Sequence, residues 1–318
     1  MKKQSFREKI CADMSISEAQ LNRLIARAPH TYKVYTIPKK TGGSRVIAQP
    51  ARETKYIQNW LITNVFSTLT VHNSASAYKM GASIKKNAML HRKNSYLVKL
   101  DFKDFFTSIK SNDLIVFFRN ELSDYFRDDD FSDIARICCI QHEGDDTLSL
   151  SIGAPSSPIL SNLVMQYFDK SIQKWCDKNK VIYSRYADDL TFSSSIKGIS
   201  SEIELFVLKL VESTTSPSLK INDKKTTHLS KKHQRYITGL VVTNEGNISL
   251  GRKRKRKISS LIHKYTLGIL DHEDTQELQG LLGFAKDAEY IFFNSMKNKY
   301  GDNVVSNILK IRNNNEGM

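Results

Sequence analysis

Asp188 and Asp189 are adjacent carboxylates between two apolar, strand-like runs, Val181-Ile182-Tyr183-Ser184-Arg185 before them and Leu190-Thr191-Phe192-Ser193 after. A hairpin of that pattern lifts both acids out of a sheet at its turn. Neighbouring anions repel, so holding them on a tight turn is costly unless a divalent cation neutralises them, and hard oxygen donors at that density suit Mg²⁺. Two-metal nucleotidyl transfer is the chemistry such a pair supports. The competing reading is a solvated turn or helix cap. Two-metal chemistry needs a further carboxylate, and Tyr96-Leu97-Val98-Lys99-Leu100-Asp101-Phe102 supplies a candidate. Strand alternation puts Tyr96, Val98, Leu100 and Phe102 on one face and Leu97, Lys99 and Asp101 on the other, so Asp101 is expected to point away from the apolar layer.

Periodicity and punctuation outline the elements that must position these acids. Ser17 with Gln20 reads as a capping box opening a helix through Ala28, stopped by Pro29. This N-terminal segment is expected to pack on the body or touch RNA. Tyr32 to Ile37 and Ser44 to Ala48 form a hairpin around the basic, glycine-containing tip Lys39-Lys40-Thr41-Gly42-Gly43. Its lysines can equally be solvated turn residues. Glu53 to Thr70 is helical in spacing, with Ile57, Leu61, Val65 and Leu69 on one core-facing stripe. Around Lys79 to Asn87, glycine and lysines suggest a loop and helix start able to hold phosphate.

Asn112 to Leu122 reads as an amphipathic helix. Asp128-Asp129-Asp130 precedes another helix, where acids favour the positive end, and is not taken as a metal site. Asp145-Asp146 reads as a polar turn. Pro155 and Pro158 punctuate a turn feeding a helix, and Gly153 and Ala154 before it let a nucleotide approach the backbone closely. Asn162 faces inward on that helix, toward the site or into an internal hydrogen bond. Tyr236 to Val242 and Ile248 to Leu250 bracket a turn. The block Arg252-Lys253-Arg254-Lys255-Arg256-Lys257 leads into a periodic helix, as a helix start that grips RNA phosphates would. Residues 252 to 312 read as three helices.

The chain has 318 residues, 48 Lys plus Arg against 33 Asp plus Glu, and a net charge of +15, which imply a polyanionic partner, most plausibly nucleic acid. Its 40% hydrophobic content argues against disorder. No run approaches a membrane span, and the charged start Met1-Lys2-Lys3-Gln4-Ser5-Phe6-Arg7-Glu8 lacks a signal-peptide core, so a soluble, cytoplasmic protein with no membrane partner is expected. Cys11, Cys138, Cys139 and Cys176 have neither Cys-x-x-Cys nor zinc spacing and read as reduced and mostly buried.

Five segments in order carry a resemblance to reverse transcriptases. Leu97 to Phe106 is similar to the first catalytic palm motif, and Gly153-Ala154-Pro155-Ser156-Ser157-Pro158 to Leu163 to the template and nucleotide-binding motif. Tyr186-Ala187-Asp188-Asp189, the lysine-bearing Leu219 to Thr226 and Tyr236-Ile237-Thr238-Gly239-Leu240 follow. Asn87-Ala88-Met89-Leu90-His91 resembles the Asn-Ala-x-x-His signature, and Ile237-Thr238-Gly239 the Val-Thr-Gly signature, of the bacterial retron enzymes. The resemblance runs from about Tyr32 to Tyr300. It departs at Ile152, where many such polymerases place a Gln that touches the nucleotide's sugar, so Ile152 receives no polar role.

The resemblance implies an α+β, right-hand polymerase architecture: an N-terminal helical segment over 1–30 and fingers over 31–95. A palm of antiparallel sheet and packed helices would cover 96–250, including part of the fingers at about 112–150 and a primer-grip hairpin at 235–250. A helical, RNA-binding thumb would cover 251–318. It further implies Asp101, Asp188 and Asp189 as catalytic ligands of two Mg²⁺ ions, with Lys224 or Lys225 protonating pyrophosphate. Arg45, Lys39, Phe102, Phe106, Gly153, Ala154 and Lys225 would bind the nucleotide, Phe106 as the steric gate against a ribose 2′-hydroxyl, and a Phe106→Ala protein should accept ribonucleotides more readily. Asn87, His91 and Arg252 to Lys257 would bind RNA. Implied partners are a cognate structured RNA that is both template and primer, the RNA–DNA hybrid, dNTPs, an accessory effector protein in antiphage defence, and a host ribonuclease H, since nothing after the thumb is long enough to form that domain. Priming would start from an internal guanosine 2′-hydroxyl and give branched, multicopy single-stranded DNA. A group II intron-like or diversity-generating enzyme, and a catalytically idle RNA-binding scaffold, are the rival readings.

Overall fold

A computed structural model describes residues 5–39 and 42–311, so Lys40 of the basic tip, the first four residues and residues 312–318 lie outside the described residues. The chain divides into two compact units, the first formed by 1–81, 98–192 and 198–227 and the second by 82–97, 193–197 and 228–318.

In the first unit, α1 (Phe6–Met14) and α2 (Glu18–Arg27) come first, α2 with the reciprocal Ser17–Gln20 capping box its sequence predicts. Strands β1 (Tyr32–Pro38) and β2 (Ser44–Pro50) pair antiparallel, Ile37 opposite Arg45. Helix α3 (Arg52–Asn64) ends a turn and a half short of the predicted Thr70. The hydroxyls of Ser67 and Thr68 turn back onto the carbonyls of Thr63 and Val65, drawing Phe66–Thr68 into a tighter 3₁₀ turn that buries Phe66.

After α4 (Ile84–Leu90), which belongs to the second unit, β3 (Tyr96–Asp101) leads to α5 (Phe105–Ser108), α6 (Ser111–Leu122) and α7 (Asp128–Cys138). The acidic triplet sits in the first turn of α7, as its sequence predicts: Asp130 accepts from the backbone of Arg127, and Asp128 is forked by Arg119 at 2.7 and 2.8 Å. Strands β4 (Ile140–Gln141) and β5 (Leu148–Ser149) pair on either side of the turn at Asp145. Then come α8 (Ser157–Val164), with Pro158 in its first turn, α9 (Gln166–Lys178), β6 (Ile182–Tyr186), β7 (Asp189–Ser194), α10 (Ile199–Ser213) and β8 (Thr227–Ser230). The principal sheet has the order β6-β7-β3-β8. Val98, Leu100 and Phe102 join one core cluster with Phe168, Ile172, Tyr183 and Phe192, together with the free, buried Cys138, Cys139 and Cys176.

The second unit combines α4 with a small sheet, order β11-β10-β9, made from β9 (Arg235–Ile237), β10 (Leu240–Val242) and β11 (Ile248–Ser249). The run from Tyr236 to Val242 is therefore two strands. Thr238 and Gly239 both take positive φ, 46° and 82°, the conformation of a two-residue hairpin turn. Four helices follow where the sequence suggests three: α11 (Arg252–Thr266), α12 (His272–Ala288), α13 (Tyr290–Tyr300) and α14 (Asp302–Lys310). Gly301, at φ 95°, separates the last two. Leu261, Ile262, Leu278, Leu282, Phe293 and Val305 form this unit's core with Leu97, Ile237 and Leu240.

Candidate active site

The β6–β7 turn carries Asp188 and Asp189, and an internal network holds it. Ala187 sits at φ 56°, a region costly for a residue with a Cβ, and its carbonyl accepts from Arg185 Nη1 at 3.2 Å. Arg185 is fully buried and clasps Asp169 of α9 through Nε at 2.9 Å and Nη2 at 2.6 Å, while the Tyr183 hydroxyl donates to the same carboxylate at 2.7 Å. Arg185 Nη1 also reaches Asn162 Oδ1 at 3.2 Å, and Asn162 Nδ2 donates to the Ala77 carbonyl at 2.8 Å. Asn162 therefore makes the internal hydrogen bonds that were one of its two readings. Local spacing does not foretell this buttress. Its one visible signal is Asp169 on the apolar stripe of Phe168, Ile172 and Cys176.

Asp101, at the end of β3, meets the turn through the backbone. The Phe102 amide donates to the Asp188 carbonyl at 3.1 Å, and the Asn222 amide to the Asp101 carbonyl at 2.8 Å. The Asp101 side chain accepts from Lys225 Nζ at 2.7 Å, and the residue is 4% exposed. Lys224 is exposed and has no such partner. Burial first, then the charge of Asp101, raises the pKa of Asp188. Burial also lifts Asp189 to about 6, against the opposing charge of Lys99 and with the help of Asp188 and Asp101. Burial disfavours the charge on Lys225, but its hydrogen bond to Asp101 and the field of all three acids outweigh that and raise its pKa.

No group of three or more His, Cys, Asp or Glu among the described residues is already arranged as a metal site. The Lys225 ammonium, not a cation-ready cage, meets the charge of Asp101. The donor chemistry nevertheless fits a hard divalent cation such as Mg²⁺: Asp188 and Asp189 lie in the field of Asp101, and burial first, then that neighbouring negative charge, raises the pKa of each, which a bound cation would offset.

Around the acids, Arg45 is exposed on β2 and its charge reaches Asp188, while Lys39 is exposed at the end of β1. Phe106 is half-buried, 5.4 Å from the Phe105 ring and 6.4 Å from that of Tyr78. Tyr78, which the sequence did not single out, lies in the field of Asp188. One expectation requires correction. Phe102 is 1% exposed and packed between Phe105 and Phe168, so its side chain is core and not a nucleotide contact. Gly153 has an internal reason to be small as well: at φ 123°, a Cβ there would lie 2.8 Å from the Ala48 carbonyl, where β2 bonds to the Ile152 carbonyl. Ala154 beside it is buried.

The expected RNA-binding residues also divide. Asn87 and His91 are both 1% exposed, so neither side chain presents itself to RNA; this corrects their expected direct contact. His91, at the end of α4, bonds Ser193 at 2.8 Å, and burial lowers its pKa to about 3. The Thr238 hydroxyl donates to the Ile84 carbonyl at 3.3 Å, so the two signature segments form one structural piece. In the basic block, Arg254 donates to the Gly239 carbonyl and covers the Phe284 ring, Lys255 pairs with Glu289, and Lys257 pairs with Glu277. Half of the expected phosphate grip is thus engaged internally. Arg252, Lys253 and Arg256 remain exposed, with no ion pair among the described residues.

Residues 37–242 match the family described as reverse transcriptase (RNA-dependent DNA polymerase). The retron Ec83 reverse transcriptase of Escherichia coli is 38% identical over 291 residues, 90% of this chain and 93% of that protein. The retron Ec73 enzyme of the same species is 38% identical over 287 residues, 87% and 89% of the two chains. The chain belongs to the retron reverse transcriptases. Among solved structures, apo telomerase from Candida tropicalis aligns with a TM-score of 0.50 at 13% identity, over 88% of this chain and 60% of that one, a likeness of fold alone. The α+β polymerase fold and RNA-directed DNA polymerase activity follow from this membership. No helix among the described residues is long and apolar enough to cross a membrane.

Proposed function

We propose that this polymerase copies a cognate structured RNA into branched, multicopy single-stranded DNA, starting from a guanosine 2′-hydroxyl of that RNA. The observation that carries the catalytic part is the convergence of Asp101, Asp188 and Asp189 beside Lys225. Asp101, Asp188 and Asp189 would hold two Mg²⁺ ions, which would supply activation of the attacking hydroxyl and charge stabilisation at phosphorus. Lys225, already fixed on Asp101, is the proton donor to pyrophosphate in preference to Lys224. Arg45 and Lys39 contact the triphosphate of a dNTP, backbone at Gly153 and Ala154 lines the nucleotide, and Phe106 braced by Tyr78 bars a 2′-hydroxyl.

In this reading 31–95 with 112–150 act as fingers, 96–250 as palm with the primer-supporting hairpin at 235–250, and 251–318 as a thumb on the RNA–DNA hybrid. Exposed Arg252, Lys253 and Arg256 meet RNA phosphates. A cytoplasmic setting, an accessory effector in antiphage defence and template removal by a host ribonuclease H belong to the same proposal.

The test is to express the gene with its flanking DNA, extract nucleic acid and look for short single-stranded DNA joined to RNA, with Asp188→Asn as control. A branched product lost in the variant supports the reading. Ordinary primer extension without branched product retains the polymerase and rejects self-priming.

A further inference from the structure

Away from the acids, α2 and the start of α3 enclose a cavity of about 630 Å³. Its floor is apolar, formed by Met14, Leu24 and Ile57, and its rim carries Arg23, Arg27 and Arg52. None of these arginines makes a salt bridge or side-chain hydrogen bond among the described residues, unlike Arg7, Arg119, Arg127, Arg136 and Arg185 of the same unit. Tyr56, one helical turn beyond Arg52, borders the cavity and is 66% exposed. The walls are preset: α2 buries Leu21 and Ile25, its amino end is capped at Ser17, and Arg136 ties down the carbonyls of Ile25 and Ala26.

We infer that this cavity binds an unpaired nucleotide of single-stranded RNA, with its base over the apolar floor against Tyr56 and its flanking phosphates on Arg23, Arg27 and Arg52. The volume falls within the range of about 300–1,000 Å³ typical of small-ligand sites. Arg23 and Arg27 are four apart on α2, which sets their Cβ atoms about 5–6 Å apart on one face, suited to successive phosphates of one strand. All three cations are arginine, whose planar fork matches phosphate and stacks on bases. An exposed aromatic beside such cations is how proteins hold splayed, unpaired bases. Glu53, the single acid in the lining, would repel an acidic peptide but can accept from the amino group of a base. The inference rests on the proposed RNA-copying function and adds to it a binding site outside the catalytic centre.

A short single-stranded oligouridine carrying a photoreactive thiouridine would be crosslinked to the full-length protein and the attachment mapped by mass spectrometry. The same preparations would be assayed for extension of a DNA primer annealed to an RNA template. Crosslinks are expected in the Arg52–Ile57 segment. They should fall about tenfold in Tyr56→Ala and recover in Tyr56→Phe. In Arg23→Gln with Arg27→Gln, the salt dependence of crosslinking should weaken by about 0.7 in slope for each phosphate no longer neutralised. Primer extension should stay at the wild-type rate throughout, which shows the variants folded and separates this site from the catalytic reading. Crosslinks confined to other segments, or unchanged in Tyr56→Ala with extension intact, overturn the inference, as does competition by a glutamate-rich peptide in place of RNA.

Discussion

Lys224 and Lys225 are neighbours of identical chemistry, and only the fold separates them. One donates to Asp101 at 2.7 Å; the other faces solvent. Loss of a positioned acid typically costs 10²–10⁴-fold, so Lys225→Ala should slow single-turnover nucleotide addition by about a hundredfold or more, while Lys224→Ala stays within a few-fold of wild type. Equal effects of the two would remove the assignment. His91 allows a pH prediction. Its folded pKa of about 3 lies below the ordinary histidine value of about 6.5, so the fold holds it neutral. Its contribution to stability is complete above about pH 6.5 and declines as pH falls from there toward 3, by up to about 1.4 kcal/mol per pH unit. Urea midpoints of wild type and His91→Gln should therefore differ in slope across that window and run parallel above it.

At the scale of elements, the β6–β7 turn depends on a helix it does not adjoin in sequence. Asp169 of α9 neutralises Arg185, and Arg185 holds the carbonyl of strained Ala187 beside Asp188 and Asp189. Removing one partner of a buried pair leaves the other charge uncompensated, so Asp169→Ala should cost about 3–5 kcal/mol, read as a fall in the chemical-denaturation midpoint. A stability within about 1 kcal/mol of wild type would show the network to be dispensable. The two retron signatures behave likewise. Read as strings, Asn87 to His91 suggests RNA binding and Ile237 to Gly239 part of a primer-supporting hairpin. Folded, they are a short helix and a tight turn bonded to each other, and Arg254 of α11 closes on the turn.

For the molecule as a whole, the charge of +15 overstates the cations available to RNA, because several are engaged internally. In the basic block, the exposed Arg252, Lys253 and Arg256 should account for the salt dependence. Replacing all three with Ala should reduce the slope of log affinity for structured RNA against log salt by about two to three. Lys255→Ala should change that slope little and lower stability instead, through loss of its bond to Glu289. An unchanged slope in the triple variant would move the phosphate contacts elsewhere.

Local order was legible wherever it is set by neighbouring residues: the capping box at Ser17, the hairpin across Lys39 to Gly43, the acid pair on its turn, and the placement of Asp128 to Asp130 at a helix start all follow from spacing. Class was legible too, because five ordered motifs specify a polymerase site. The misreadings have a common cause. The early end of α3, the turn at Thr238 and Gly239, and the break at Gly301 depend on backbone conformations that compete closely with continuation of the element. Phe102, Asn87, His91 and half of the basic block were read as ligand contacts because hydrophobic period, charge and motif say which face a residue takes, not what lies across from it. The types of the proposed catalytic groups, three carboxylates and a lysine, were legible in sequence alone. Tertiary structure decided which lysine reaches Asp101, what sustains the strained turn and which cations stay free, since the deciding contacts join residues from 15 to 124 positions apart, whose burial and partners no local pattern encodes.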